Sequence, residues 1–317
     1  MKKNLYSLLI IIISIYACSS PVKENTSFNF FSEQFSDVKI LRYQVPGFEN
    51  LTLDQKKLVY YLTQAGLSGR NIMYDQNYRH NLKIRDALEN IFTNYKGDKS
   101  SKNWIAFETY LKKVWFANGI HHHYSNDKFE PEFTPEYFNE LLLETNTTLE
   151  GEAYEVIFND NDSKKVNLDS SKGLIKGSAV NFYGRDITTE EVDDFYSKIK
   201  VPNSKKPISL GLNSKLVKEN GVLVEKVWKI GGMYSKEIKK IIFWLSKAKE
   251  VAENEKQKKG FELLIKYYET GDLEVWDDYN VVWVETTEGD VDYINGFIEV
   301  YNDPKGYRGS YESVVQI

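Results

Sequence analysis

Apolar residues between positions 53 and 67 gather on one face at helical spacing: Leu53, Leu58, Val59, Leu62 and Leu67. This is the rhythm of an α-helix that buries one stripe. Thr52 and Gln55 stand where a capping box needs them, and Gly69 closes the segment. The same signals predict a helix over residues 77–95, stopped by Gly97, and another over 102–117, stopped by Gly119. Thr134-Pro135-Glu136 opens a further one, with threonine as cap, proline at the first helical position and an acid at the positive helix end. Beyond Thr148 the texture changes. Residues 153–158 read as a strand, and Asn159-Asp160-Asn161-Asp162 reads as a turn. Thr188 with Glu191 is a second capping box, for a short helix to about residue 199. Residues 222–230 alternate like a strand, and helices follow over 235–253 and 255–270, with a short one ending near Tyr279. Residues 281–285 and 293–301 read as closing strands, and 38–45 as a short strand ended by Pro46-Gly47. Helices outnumber strands and no internal repeat is visible, so the fold class is α+β, predominantly helical.

The first residues follow a different logic. Lys2 and Lys3 precede an apolar run over residues 5–15, and then come Tyr16-Ala17-Cys18. A charged start, a short hydrophobic run and a small residue are the parts of a secretory signal. The run is short for a hydrocarbon core of about 30 Å, so a permanent span is not expected. Ile15-Tyr16-Ala17-Cys18 resembles a bacterial lipobox, which implies that Cys18 is lipidated and becomes the first mature residue. Residues 1–17 are then a lipoprotein signal peptide and residues 18–37 a tether. The implied place is the cell envelope, on the outer membrane because Ser19 rather than an acid follows the cysteine, with a membrane contact through the lipid anchor.

Composition narrows the chemistry. Lys and Arg total 41 against 46 Asp and Glu, a formal charge of −5, which argues against nucleic acid as a partner. The only cysteine is Cys18, so neither an intrachain disulfide nor a cysteine-based zinc site can form. His121, His122 and His123 are consecutive and diverge, which suits a hydrogen-bonded turn better than a metal site. His80 reads as a solvated helix residue. Asp160-Asn161-Asp162 lacks the glycine and the final acid of a calcium loop, and Gly231-Gly232-Met233 lacks the Lys-Ser/Thr pair of a phosphate loop. Tyr60-Tyr61 and Tyr267-Tyr268 could be platforms for sugars, but such pairs are more often packing.

One resemblance covers most of the chain. Segment 53–62 with Ala65-Gly66-Leu67-Ser68-Gly69-Arg70, then Asp75-Gln76-Asn77-Tyr78, Trp115 through Tyr124, Asp127-Lys128-Phe129-Glu130-Pro131, 211–218 and 291–304 resemble, in order, the amino-terminal half of bacterial dipeptidyl peptidase III, a zinc metallopeptidase family. The resemblance implies two lobes around a cleft. This sequence would be the lower lobe, residues 38–317, in which helices surround a small β-barrel-like core. The family's zinc motif, H-E-x-x-x-H read as H-E-L-L-G-H, is absent from the chain, and its end on the apolar run 311–317 leads us to expect an amino-terminal fragment. Zinc is therefore expected in the full-length relative and not on this chain, which supplies no catalytic residue and no metal ligand. The implied role is to hold short peptides, with Asp292 receiving the free α-ammonium. Ile294 stands where some relatives carry a peptide-binding tyrosine, and Tyr293, one place off on a strand, would face the other side. The second reading is an envelope lipoprotein that binds peptides or glycans and never had catalytic residues.

Overall fold

The computed structural model describes residues 28–199 and 208–317. The signal segment and Cys18 lie outside the described residues. The chain divides into two compact units after Val45. In the first, β1 (Phe31–Phe35) and β2 (Val38–Leu41) form an antiparallel hairpin. Phe35 pairs with Val38 across a turn in which Ser36 takes a left-handed φ of 50°. A strand thus stands at 31–35, where a tether is expected.

The second unit, Pro46–Ile317, has two hydrophobic cores. The helical core is formed by a nearly continuous stretch of chain. α2 (Arg70–Asn77), α3 (Asn81–Asn94), α4 (Lys102–Ala117), α5 (Pro135–Glu144) and α6 (Glu152–Phe158) bury Ile84, Leu88, Trp104, Phe107 and Phe138 against one another. The Ser101 hydroxyl caps α4 and the Thr134 hydroxyl caps α5, and α4 ends on Asn118 in a left-handed conformation. The helix expected over 77–95 starts later. Tyr78 is extended, and the buried Asn81 side chain donates to Tyr74 O and accepts from Ile120 N, so the chain breaks there and restarts.

The second core takes α1 (Leu53–Ser68) from one end of the unit and joins it to elements far along the chain. These are α7 (Thr189–Ser197), α8 (Ser235–Glu250), α9 (Glu255–Thr270), α10 (Leu273–Glu285) and the pairs β3 (Ser214–Glu219) with β4 (Val222–Val227) and β5 (Asp292–Phe297) with β6 (Tyr311–Gln316). Both capping boxes form, Thr52 with Gln55 and Thr188 with Glu191. α1 packs along α8, and α9 lies between α8 and α10.

Two expected strands are helices. Residues 153–158 place Ala153, Val156 and Ile157 at helical spacing on one buried face, and Glu152 and Glu155 stand in the first turn, where acids are favourable. Residues 281–285 continue α10, which Asp272 caps by accepting from Glu274 N. The β-branched content of both runs yields to packing, because strand preference is a statement about surroundings.

The strands do not close into a barrel. Among the described residues they form three separate two-stranded antiparallel sheets: β1/β2, β3 (Ser214–Glu219) with β4 (Val222–Val227), and β5 (Asp292–Phe297) with β6 (Tyr311–Gln316). Closure needs each strand to find a partner on both edges. Here each named strand in a sheet has one strand partner. The α+β class stands, and the barrel-like core does not. β6 was not foreseen; its residues pair fully with β5, from Asp292 opposite Gln316 to Phe297 opposite Tyr311.

Candidate functional site

β5 is built by alternation. Tyr293, Asn295 and Phe297 face the core, where Tyr293 stacks on Phe261 at 4.7 Å between ring centres. Ile294 takes the opposite face and is half-buried, as the register requires. Gly296 lets Trp276 come close, since a Cβ there would stand 2.6 Å from its ring. Asn295 is the polar pin of the strand. Its side chain accepts from Tyr268 Oη at 2.6 Å and donates to Tyr311 Oη at 3.0 Å, and Tyr311 in turn donates to Ala65 O at 3.2 Å. The hairpin is thereby fixed to the end of α1 and to α9.

Asp292 begins the strand and is exposed. Its Oδ1 accepts from its neighbour's amide, Tyr293 N, at 2.7 Å. It rims a cavity of about 400 Å³ with Gln257, Trp283, Thr286 and Glu288. Beside the cavity, Glu253 accepts from Gln55 Nε2, Asp290 N and Val291 N, at 2.8, 3.0 and 3.0 Å. Burial works against the charge of Glu253, and these donors outweigh it, so the carboxyl titrates below its ordinary range.

The other end of the hairpin carries a second acidic group that sequence reasoning missed. The ladder continues through Ile298 N to Ser310 O and Ser310 N to Glu299 O, which brings Glu299 near Glu312. Burial and then the charge of Glu299 raise the Glu312 carboxyl above its ordinary value. Tyr301 Oη lies 3.5 Å from Glu312 Oε1, and its ring is 68% exposed. Burial, Glu312 and Glu299 raise the Tyr301 hydroxyl, and Tyr124 of the histidine loop contributes to the same shift. Two carboxylates of which one resists ionisation, beside an exposed phenol, suit a cationic group.

The loop between the strands is held by a buried arginine. Arg308 is fully buried, and among the described residues its guanidinium forms no direct ion pair with a carboxylate. Nη1 donates to Tyr183 Oη at 2.9 Å, and Tyr183 donates to Asp303 Oδ2 at 2.8 Å. Nη2 donates to Tyr196 Oη at 2.5 Å, and Tyr196 donates to Glu225 Oε1 at 2.5 Å. Each tyrosine therefore relays the positive charge to a carboxylate. Burial drives both hydroxyls far above their ordinary range even though Arg308 pulls them down, so they stay protonated as donors. Asp303 also accepts from Tyr307 N and Arg308 N, each at 2.9 Å, and so shapes the turn that carries Tyr301.

The other sequence candidates fall into place around this hairpin. His122 Nδ1 accepts from Tyr124 N and Ser125 N at 3.1 Å, the hydrogen-bonded turn expected of the cluster. His121 is buried with Nε2 2.9 Å from Ser163 O, and burial lowers its pKa to about 4. His80 is not a solvated helix residue. It packs edge-on against Tyr78 at 4.9 Å, Nε2 lies 3.5 Å from Glu152 Oε2, and burial and Arg79 lower its pKa. Asp162 lies in the predicted turn and accepts from Tyr78 Oη at 3.0 Å. Tyr267 and Tyr268 are core residues, whereas Tyr60 is half-exposed beside Tyr61 and Trp244. Among the described residues no group of three or more His, Cys, Asp or Glu could hold a metal ion. Zinc therefore finds no ligand set among them. No helix among the described residues is long and apolar enough to cross a membrane.

Known proteins resemble this chain in its second half and in its fold. The model of peptidase family M49 matches residues 165–317. No curated protein sequence matches the chain. The solved structure of DPP III from Caldithrix abyssi matches with 18% identity and a TM-score of 0.56, over 86% of this chain and 40% of that one. The structure of dipeptidyl-peptidase III from Corallococcus sp. strain EGB matches with 15% identity and a TM-score of 0.56, over the same shares. At such identities the likeness is one of fold, and the chain spans about 40% of the length of these structures.

Proposed function

The chain is a relative of the dipeptidyl peptidase III family, and on that premise we propose that its 317 residues supply the peptide-holding part of a zinc-dependent dipeptidyl peptidase. The family motif H-E-x-x-G-H has no counterpart in the sequence, so in this reading the chain binds peptides and does not cleave them by itself. Zinc belongs to a part of the enzyme outside this sequence.

The observation that carries the reading is the acid-bearing β5/β6 hairpin, rigidly held by Asn295 and Arg308. An exopeptidase that removes dipeptides must fix the free α-ammonium two residues from the bond it cuts, and a preorganised carboxylate does so with a charge-assisted contact. Asp292 is our assignment for that contact: it is exposed, at a strand start and on the rim of a cavity. The Glu299/Glu312 pair is the second position. It is favoured by the raised Glu312 carboxyl, which an ammonium would relieve of its like-charged neighbour. In the same proposal Cys18 anchors the protein to the envelope membrane through lipid.

Calorimetric titration of the chain with a tetrapeptide tests the function. The free amine form should bind, and its N-acetylated form should bind at least tenfold more weakly. Asp292→Asn should erase that difference if Asp292 is the contact; Glu299→Gln with Glu312→Gln should erase it if the pair is. Equal binding of both peptides, or none, rules the reading out. So does release of dipeptide arylamides by the chain with added zinc, if a chelator stops it.

A further inference from the structure

A cavity of about 290 Å³ lies apart from both acidic positions, between the α2–α3 junction, the 162–163 turn and segments 175–180 and 183–185. Its charged lining is Arg79, Lys176, Arg185 and Asp162. This cationic bias occurs in a chain whose net charge is −5. The charges are also unevenly paired. Arg185 is held by both oxygens of Glu152, at 2.9 and 3.0 Å. Asp162 is engaged by the Tyr78 hydroxyl. Among the described residues, Arg79 and Lys176 form no direct ion pair: Arg79 lies over the Tyr78 ring at 5.9 Å and acts on Glu152 only at longer range, as Lys176 does on Glu190 and Glu191. Behind this wall His121 is bonded to the carbonyl of the lining residue Ser163. Lys165, next to Lys164 on the same segment, is buried, and burial lowers its pKa.

From this juxtaposition we propose that the cavity is a binding site for the oxyanion of a small molecule, a carboxylate or a phosphate. Arg79 is the principal contact and Lys176 the second cation of the lining; the Ser178 hydroxyl already donates to Leu174 O and contributes no donor. A guanidinium presents a planar fork of donors that matches either group, and in a half-enclosed cavity the contact is stronger than at an open surface. The volume lies at the small end of ligand pockets, which fits one residue or one small metabolite and excludes a long peptide.

The test is calorimetric titration at low salt with inorganic phosphate, and separately with an N-acetylated dipeptide bearing either a free or an amidated carboxyl terminus. The N-acetyl block removes the ammonium on which the peptide-holding proposal depends, so the two proposals fail independently. Saturable binding of phosphate alone assigns a phosphate ligand. Binding of the free carboxyl dipeptide and not of its amide assigns a carboxylate. In either case Arg79→Gln should weaken binding at least tenfold and Lys176→Gln two- to fivefold; the latter is a surface change that leaves the fold intact. Absence of binding by the unaltered chain, or binding unchanged in both variants, overturns the proposal.

Discussion

The two cores of the larger unit are built on opposite plans. The helical core draws on residues 74–179, closes with helices that follow one another in the chain, and is filled by aromatic rings; Tyr95 stacks on Trp104 at 4.5 Å. The second core joins residues 58–72 to residues 166–311 and buries, beside its apolar side chains, Arg308, Asp303 and Asn295. A core closed by neighbours in sequence needs only apolar surface and good packing. A core assembled from distant segments must also fix which segments meet, and a buried polar network does so because only one arrangement satisfies it. We take this as the role of the Arg308 relay. The acids proposed to hold a peptide lie on the network side, and the family model matches that side of the sequence.

Removing the network's charge should have the largest effect. Arg308→Met leaves the buried Asp303 and the half-buried Glu225 without the cation that the two tyrosines relay to them, and should cost about 3–5 kcal/mol in urea denaturation. That is as much as emptying the helical core with Trp104→Ala, at about 3–5 kcal/mol. A cost under about 1 kcal/mol for Arg308→Met would erase the contrast between the cores.

Acid should expose the helical side next. His121 titrates near 4 in the folded chain against 6.5 when unfolded, so between those values the unfolded state holds the extra proton. Stability should then fall as pH drops from 6.5 toward 4, with a slope approaching about 1.4 kcal/mol per pH unit. His121→Phe should flatten this part of the profile. An unchanged slope would show that the acid sensitivity arises elsewhere.

The smallest effect concerns the helix caps. Thr134→Ala in the helical core should cost about 1 kcal/mol. Thr52→Ala should cost somewhat more, within about 2 kcal/mol. Its partner Gln55 also donates to Glu253 and Asp290, at 2.8 and 2.7 Å, so the box is tied to the far side of its core. Equal losses in thermal unfolding would mean that this tie carries no energy.

Much of the helical framework was legible in the sequence, as Thr52, Thr134 and Thr188 show: each hydroxyl sits three residues before the amide it caps. The two misread segments, 153–158 and 281–285, are rich in valine, isoleucine and tryptophan, whose strand preference depends on surroundings the sequence does not display. Of the candidate site, Asp292 was visible through its motif, and the Glu299/Glu312 pair was not. Asn302-Asp303-Pro304-Lys305-Gly306 announces a turn, but not that positions 299 and 312 come together across it, because the register of β6 is set by Asn295 and Phe297 packing on the core. Arg308 gave no signal either, since an arginine between Gly306 and Gly309 in a loop reads as solvated.

What the chain's letters determined alone are its caps, helical stripes, net charge and the lack of a metal-binding motif. These depend on residues within about four positions of one another, or on simple counts. The folded molecule decided which carboxylates crowd, which tyrosines keep their protons and which arginine goes without water. Those properties follow from desolvation and from neighbours such as Tyr183 and Arg308, which stand 125 residues apart until the second core closes around them.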